Sequence, residues 1–395
     1  GTINCTVWSD VFHCPNCNGE IVFWDIAVEE ETEKLNKQFK CNHCGGILTK
    51  KDLERAWETV FDPLQNKVIN QAKQKMVAIN YKYGTSRFNK KPTEEDVELL
   101  KKIEEYKLST WFPNEDLPHG YNTSQPIKSH GINKTYQFYT KRSLIVLSTF
   151  YDLIQKSKLK NNLMMMLTGI AYSTTKLYRW TPNYEGGGPL SGTYYIPAII
   201  REISAIEALK RFGKKIPTNL DFNKNFGNVT SLISTATNLN IDSETIDYIF
   251  VDPPFGGNIM YSELNFLWES WLKVRTNNQD EAIVNDQHKK TIQDYQSLLC
   301  QCFNEYYRVL KPGKWMTVEF SNSQSTIWNV IQEAIQRAGF VIANVSTLDK
   351  KQGSFKALTT TTAVKQDLVI SAYKPKTENI SKMQEEQNTE RSAWT

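Results

Sequence analysis

The spacing of hydrophobic residues changes near residue 228. Beyond this point, short apolar runs alternate with segments whose apolar residues recur every three or four positions. Residues 246–251 are predicted to form a buried strand, and residues 262–274 and 292–310 to form helices. Because strands that alternate with helices are typical of βαβ units, we expect a mainly parallel sheet in this part of the chain.

The same alternation continues toward the C-terminus. The remaining predicted elements are a strand, a helix and a final pair of strands, at residues 315–320, 325–338, 340–346 and 367–373. The connection at 349–365 is rich in Lys and Thr and is expected to be mobile. The last residues, 376–395, are polar and are expected to be disordered.

The N-terminal half has a different organisation. Residues 1–60 alternate Cys-rich turns with short β-like runs, which predicts a small module of its own. Apolar residues at helical spacing recur after it, so residues 61–212 are predicted to be mainly helical. The α/β region then occupies residues 213–375, and the polar tail occupies 376–395.

Composition limits the class of protein. The chain has 395 residues, 40% of them hydrophobic, and a formal net charge of +4, which permits a nucleic-acid partner without requiring one. It contains no apolar run of about 18 residues and no signal-peptide pattern, so we expect a cytoplasmic protein without membrane spans. The first residue is Gly1 and not Met. We therefore expect that a segment is missing upstream.

Four of the seven cysteines form two Cys-x-x-Cys turns. These are Cys14-Pro15-Asn16-Cys17 and Cys41-Asn42-His43-Cys44. Two such turns can direct four thiolates to one point, which predicts a closed, structural zinc site. His13 and His43 lie beside the turns, and the alternative that one of them replaces a thiolate stays open. The other three cysteines, Cys5, Cys300 and Cys302, fit no metal spacing. Cys300 and Cys302 lie on a predicted helix, and packing roles are expected for these two.

The turn Asp252-Pro253-Pro254-Phe255 follows the predicted strand at 246–251. Ligands of open α/β sheets bind at the carboxyl ends of strands, so a site is expected here. The two prolines stiffen the turn and remove backbone donors, leaving the Asp252 carboxylate and the Pro253 carbonyl as acceptors for a substrate NH2 group. The aromatic face of Phe255 can stack on an extruded base.

This turn and the residues after it resemble the amino-group DNA methyltransferases that use S-adenosylmethionine, whose signature is Asp-Pro-Pro followed by an aromatic residue. Residues 255–265 are similar to the loop and helix of a bacterial subgroup of large, zinc-ribbon-bearing DNA methylases. Further similar segments cover much of the chain: 111–113, 190–197, 307–313 and 366–373.

The resemblance implies a fold, a reaction and a set of residues. The fold would be a Rossmann-like methyltransferase sheet with an inserted zinc ribbon and a mainly helical recognition region. The reaction would be methylation of an exocyclic amino group in flipped-out bases of double-stranded DNA, as performed by the methyltransferases of restriction–modification systems. Adenine N6 is the favoured target, and the sequence does not discriminate it from cytosine N4, which the same turn serves. The implied catalytic residues are Asp252, Pro253, Pro254 and Phe255, and the implied substrate-binding residues are Phe255, Asn258 and Tyr261.

Two features of such enzymes are absent from the sequence. A glycine-rich turn after a first strand and an acid after a second strand would hold S-adenosylmethionine, and neither appears before Asp252. By the resemblance, the cofactor loop would lie upstream of Gly1, so the sheet is expected to be incomplete at its N-terminal side. We expect an upstream segment or a separate subunit to complete it. Asn228 and Ser231, with Asp252, are the candidate cofactor contacts.

Basic and aromatic residues interleave in the predicted recognition region, as in a surface that follows phosphates and stacks on bases. They are Lys73, Lys75, Lys82, Arg87, Lys90 and Lys91 with Tyr81, Tyr83 and Phe88. Two other interpretations stay open, namely methylation of RNA bases and a non-catalytic DNA-recognition subunit or fragment. A cytosine C5 enzyme is disfavoured because the sequence contains no Pro-Cys dipeptide for its nucleophile.

Overall fold

The computed structural model divides the chain into two compact units. Unit 1 comprises Gly1–Asp221 and Tyr261–Thr276, and unit 2 comprises Phe222–Met260 and Asn277–Thr395. The residues that the structure describes are 1–29, 32–184, 186–214, 228–321, 324–349 and 366–376. These units differ from the predicted domains, because the first 60 residues share one unit with the next 150 or so residues, and a helix after the Asp252 turn joins that unit as well.

Unit 1 begins with strands. They are β1 (Thr2–His13), β2 (Glu20–Val22), β3 (Gln38–Lys40), β4 (Ile47–Thr49), β5 (Glu54–Arg55), β6 (Trp57–Asp62), β7 (Lys67–Ala72), β8 (Gln74–Tyr83) and β9 (Ser86–Lys90), with the short helix α1 (Phe23–Ala27) after β2. The expectation that residues 61–212 are mainly helical is therefore wrong for its first thirty residues or so. In β8 the side chains of Val77, Ala78 and Ile79 are buried. This lysine-rich stretch is a strand because it pairs with β1.

Helices make up most of the rest of unit 1. They are α2 (Glu94–Glu105), α3 (Tyr121–His130), α4 (Lys141–Gln155), α5 (Lys160–Ala171), α6 (Ala205–Gly213) and α7 (Tyr261–Leu272), with strand β10 (Ile199–Ile203) before α6. β10 completes a sheet of order β10-β1-β8-β9, and β2 and β5 also pair with β1. All these pairings are antiparallel. The main core of unit 1 lies among the helices and includes Phe138, Leu147, Tyr194 and Trp271.

Helix α7 is held in unit 1 by buried polar contacts. The Tyr194 hydroxyl donates to the carbonyl oxygens of Glu263 and Leu264, at 2.8 and 2.9 Å. The buried Glu263 carboxylate accepts the backbone N–H groups of Tyr121 and Asn122, the first residues of α3, at 3.3 and 2.7 Å. A carboxylate at this position satisfies unpaired donors and stabilises the positive end of the helix dipole. Gly120 makes room for it, because a Cβ there would lie 2.2 Å from the Glu263 Cδ.

Unit 2 is a mixed α/β unit. Its elements are β11 (Ile246–Val251), α8 (Ile292–Val309), β12 (Leu310–Phe320), α9 (Ser325–Arg337), β13 (Val341–Asp349) and β14 (Gln366–Tyr373). The sheet has the order β11-β12-β14-β13. Only β11 and β12 are parallel, and the other two pairings are antiparallel. The expectation of a mainly parallel sheet is therefore wrong, because β14 inserts between β12 and β13 instead of following a helical crossover.

Strand β11 lies at the edge of this sheet. Tyr248 is 55% exposed and Phe250 is 58% exposed. The prediction of a buried strand at 246–251 is therefore wrong for the side of the strand that carries these two residues. The described residues place no strand on its outer side. The apolar exposure beside β11 that an incomplete sheet predicts is confirmed. The expectations for 349–365 and 376–395 concern residues that lie almost entirely outside the described ranges.

The helices of the described ranges also bear on the question of membrane spans. None of them combines the length and the apolar character that crossing a bilayer requires.

Candidate functional site

The four cysteines of the two Cys-x-x-Cys turns converge in unit 1. Their sulfur atoms all lie within 4.8 Å of one another, and the pairs Cys14–Cys44 and Cys17–Cys41 are each 3.8 Å apart. Four thiolates at about 2.3 Å from a tetrahedral zinc ion would be about 3.8 Å apart. The arrangement of these side chains therefore fits zinc, and the four positions leave no opening for a substrate.

The histidines beside the turns face other partners. A ring nitrogen of His43 lies 2.8 Å from the Glu20 carbonyl oxygen, and a ring nitrogen of His13 lies 3.3 Å from the Asn18 carbonyl oxygen. Within the described ranges, the only group of three or more metal-ligand side chains brought together is the four cysteines. The alternative in which a histidine replaces a thiolate is therefore not favoured by the geometry.

The Asp252-Pro253-Pro254-Phe255 turn follows β11 in unit 2, at the carboxyl end of the strand as expected. The Asp252 side chain is exposed. Tyr295, which is fully buried on α8, donates its hydroxyl hydrogen to the Pro254 carbonyl oxygen at 2.6 Å. Among the described residues, no comparable donor reaches the Pro253 carbonyl. The turn is thus fixed at one carbonyl while the preceding one stays available.

Phe255 and Gly256 form the C-terminal end of the turn. The Phe255 ring is half-buried and meets the Phe320 ring edge to face, with centroids 5.3 Å apart. Gly256 has a φ of 65°, a left-handed conformation that favours glycine. The carbonyl oxygen of Gly256 accepts the Val284 N–H at 3.4 Å, so the residues before α8 also support the turn.

The segment that leads into β11 is held against α8 by hydrogen bonds to an ion pair within that helix. Arg308 donates to the Glu305 carboxylate at 2.8 Å and to the carbonyl oxygens of Leu239 and Ile241 at 2.9 Å each. The Leu239 N–H donates to the same carboxylate at 2.8 Å. The hydrogen bonds from Arg308 and from this N–H lower the pKa of Glu305 to about 2. The entry to the candidate catalytic strand is therefore fixed by charged hydrogen bonds.

The structure does not bring all the predicted site residues together. Asn258 is exposed in the loop after Phe255, whereas Tyr261 begins α7 and belongs to unit 1. Asn228 and Ser231 lie in an exposed stretch without helix or strand, and neither side chain forms a hydrogen bond to a described residue. The described residues therefore fit S-adenosylmethionine only in part, since among them the glycine-rich turn and the ribose-binding acid have no counterpart before β11.

Several cations of the predicted recognition surface are neutralised within the fold. Lys73, Lys82 and Lys90 pair with Glu20, Glu207 and Asp96, at 2.7, 3.9 and 2.6 Å. Lys91 also has a partner. The aromatic part of the prediction is better supported, since Tyr83 and Phe88 are exposed on the β8–β9 hairpin. Lys75 and Arg87 are the cations of this set without an ion pair to a described residue.

Sequence reasoning missed Tyr295 as a site residue. Its position in the helical pattern of 292–310 identifies it as part of an apolar face, where a Phe would pack equally well. The signal was the hydroxyl group, because a buried tyrosine oxygen requires a partner. That partner proved to be the backbone of the Asp-Pro-Pro turn.

Comparisons with known proteins bear on the C-terminal part of the chain, which includes most of unit 2 and helix α7. The DNA methylase family model, N6_N4_Mtase, matches residues 246–394. No curated protein matches the chain. Similar solved structures include a Thermus thermophilus protein assigned as a DNA modification methylase, as a selenomethionine derivative (12% identity, 35% of this chain and 48% of that chain, TM-score 0.22) and in complex with S-adenosyl-L-methionine (13%, 36% and 54%, 0.23).

A further similar structure is a SAM-dependent methyltransferase from Methanosarcina mazei (12% identity, 43% of this chain and 77% of that chain, TM-score 0.23). The chain spans about half the length of the Thermus structures. Since these scores are low, the identification depends on the family match and on the turn that lies inside it. Residues 246–394, with the Asp252-Pro253-Pro254-Phe255 turn near their start, match the DNA methylase family model.

Proposed function

We propose that unit 2 holds the target base of an S-adenosylmethionine-dependent DNA methyltransferase that acts on an exocyclic amino group. The observation that carries this proposal is the Asp252-Pro253-Pro254-Phe255 turn, placed after β11 inside the region that matches the DNA methylase family. Adenine N6 is the favoured target, and cytosine N4 has the same chemistry at this turn. The partner is double-stranded DNA.

The turn has the acceptors that an amino group requires. An exocyclic amine is a poor nucleophile because its lone pair is delocalised into the ring. Two acceptors that take both N–H hydrogens favour a pyramidal nitrogen and free that lone pair for attack. The Asp252 carboxylate is the first acceptor. The Pro253 carbonyl is the second, because Tyr295 already occupies the Pro254 carbonyl.

Phe255 provides the surface for the extruded base. Its ring packs against Phe320 in a T-shaped arrangement and is not fully buried, so part of it is accessible for stacking. Stacking of a base on an aromatic side chain is worth ~1–3 kcal/mol, which offsets part of the cost of taking the base out of the duplex. Asn258, in the following loop, is the next candidate for contact with the base.

The methyl donor requires a complement that the described residues do not provide. We propose that a further polypeptide segment, either fused or separate, pairs with the open edge of β11 and brings the glycine-rich turn and the ribose-binding acid. The exposed Tyr248 and Phe250 mark the surface that it would cover. Completed in this way, unit 2 would form a Rossmann-like methyltransferase sheet.

We propose that the four-cysteine cluster of unit 1 binds one structural zinc ion. Its sulfur spacing supports this assignment, and both turns are closed by backbone hydrogen bonds, from Cys14 N–H to the Gly19 carbonyl and from Cys41 N–H to the Gly46 carbonyl. The metal would fix the two turns relative to β1 and take no part in methyl transfer.

The function is tested in cells that produce the protein, so that any completing segment is present. Chromosomal Asp252→Ala should remove one modified nucleoside, N6-methyladenine or N4-methylcytosine, from DNA hydrolysates measured by mass spectrometry. Asp247→Ala, on the same strand but paired with Lys311 and Lys314, is the matched control and should leave the modification in place. Unchanged modification in the Asp252→Ala strain would refute the proposal.

A second candidate function is DNA recognition without catalysis by this chain. The incomplete fit to the methyl donor favours it. In that case Asp252→Ala would leave DNA modification intact, while loss of the whole chain would abolish it. A change in modified tRNA nucleosides instead of DNA nucleosides would indicate an RNA base methyltransferase.

A further inference from the structure

Unit 1 contains a cavity of about 370 Å³ that is separate from the cysteine cluster. We call it the hairpin cavity, because the β6–β7 hairpin forms one wall with Val60 and Ile69. Trp8 and Ile200, from β1 and β10, form a second wall, and Leu144 of α4 lies against a third. These side chains are apolar, whereas Glu58, Asp62 and Gln71 of the same hairpin add polar groups to the lining. The volume is typical of sites for small organic molecules.

One wall carries a polar group without a partner. Gln137 is 8% exposed and lines the cavity. Its side-chain oxygen accepts the N–H groups of Asn133 and Lys134 at 2.9 and 3.0 Å, which fixes the orientation of the amide. The Nε2 group has two hydrogens to donate, and it forms no well-aligned hydrogen bond with a described residue, although the Tyr136 hydroxyl oxygen lies close to it. Buried donors are almost always satisfied, so this one points to a missing acceptor in the cavity.

Two charged side chains that form no direct ion pair with a described residue line the same cavity. Lys176 is half-buried. Its backbone N–H donates to the carbonyl oxygen of Phe138 at 2.7 Å, so Lys176 lies next to the residue that follows Gln137. Its ammonium group forms no hydrogen bond or ion pair with a described residue, and burial lowers the pKa of Lys176. Glu104, on α2, also lines the cavity and is likewise without an ion pair in the described ranges. Lys176 and Glu104 therefore attract each other across the cavity lining without forming a direct ion pair.

We propose that the hairpin cavity binds a small zwitterion, an α-amino acid with an apolar side chain. Its carboxylate would accept hydrogen bonds from Lys176 and the Gln137 amide, its ammonium group would pair with Glu104, and its side chain would contact the apolar walls. A nucleotide fits less well. Besides Lys176 and Glu104, the charged lining residues are Lys141, Glu58 and Asp62, so acids outnumber lysines and a doubly charged phosphate would lack net attraction.

Isothermal titration calorimetry on the full chain tests the two-charge requirement. L-Phenylalanine and L-leucine should bind with a Kd below about 1 mM, which corresponds to about 4 kcal/mol. 3-Phenylpropionate lacks the ammonium group and 2-phenylethylamine lacks the carboxylate, so each should bind at least tenfold more weakly than L-phenylalanine. The proposal would be overturned if neither amino acid bound at a concentration tenfold above this Kd limit. It would also be overturned if the single-charge analogues bound as tightly as L-phenylalanine.

Matched variants locate the site. Lys176→Met and Glu104→Gln should each weaken L-phenylalanine binding at least tenfold. Glu105→Gln, the neighbour of Glu104 on α2 that does not line the cavity, should leave it unchanged. Lys176→Met removes a half-buried charge without a partner, so its ligand-free melting temperature should not fall. Equal binding by all three variants would show that the amino acids bind elsewhere and would overturn the assignment.

Discussion

The hydrogen bond from Tyr295 to the Pro254 carbonyl should govern how rigidly the candidate catalytic turn is held. Tyr295→Phe removes only the hydroxyl group, because the ring remains in the core of unit 2. A hydrogen bond of this kind contributes about 0.5–1.5 kcal/mol net. Since about 1.4 kcal/mol corresponds to a factor of ten, the open state of the turn should become about 2- to 12-fold more populated.

Hydrogen exchange followed by mass spectrometry measures this opening. A peptide that covers residues 252–258 should exchange about 2- to 12-fold faster in Tyr295→Phe than in the unmodified chain, by the same free-energy range. Tyr306→Phe is the matched control, because Tyr306 lies on the same helix and its hydroxyl has no partner among the described residues. If the two variants exchanged alike at this peptide, the hydroxyl would not be what holds the turn.

Three further predictions follow from the site. Protein purified without chelators should contain one zinc ion per chain by elemental analysis, and Cys14→Ser should lose the metal and the folding of residues around both Cys-x-x-Cys turns; a metal-free preparation of folded protein would contradict this. Calorimetry should detect weak S-adenosylmethionine binding or none in the isolated chain, whereas micromolar binding would show that other residues build a complete cofactor site. Glu305 has a pKa of about 2 against an ordinary value of 4.5, so its contribution to stability is present above pH 4.5 and is lost as the pH falls toward 2. The stability difference between the unmodified chain and Glu305→Gln should shrink over this pH range, and a difference independent of pH would rule out the ion pair as its source.

The sequence predicted best where local chemistry alone decides the structure. The two Cys-x-x-Cys turns contain their own turn residues, so their convergence follows from spacing. The position of Asp252-Pro253-Pro254-Phe255 after a strand, and the helix around Tyr295, were also predictable from periodicity. These features depend on residues that are close together in the chain.

The predictions that failed concern contacts between distant residues. Strand β8 has the composition of a basic, helix-prone stretch, and it is a strand because β1 pairs with it along its length. The sheet of unit 2 is mostly antiparallel because β14 pairs with both β12 and β13, a choice that no local pattern encodes. The neutralised lysines illustrate the same limit, because Glu20, Glu207 and Asp96 reach them only in the folded chain.

The place of α7 in unit 1 has a consequence for synthesis. Trp271, which is 0% exposed, and Phe266 belong to the core of unit 1, yet they follow Asp221 by about 50 residues in the chain. At about 5–20 residues per second, a ribosome needs roughly 3–10 seconds to deliver them after the rest of the unit has been made. During this interval the nascent unit 1 lacks one side of its core. The chain therefore cannot fold domain by domain in the order of its sequence, and a truncated chain that ends at residue 221 should misfold or aggregate.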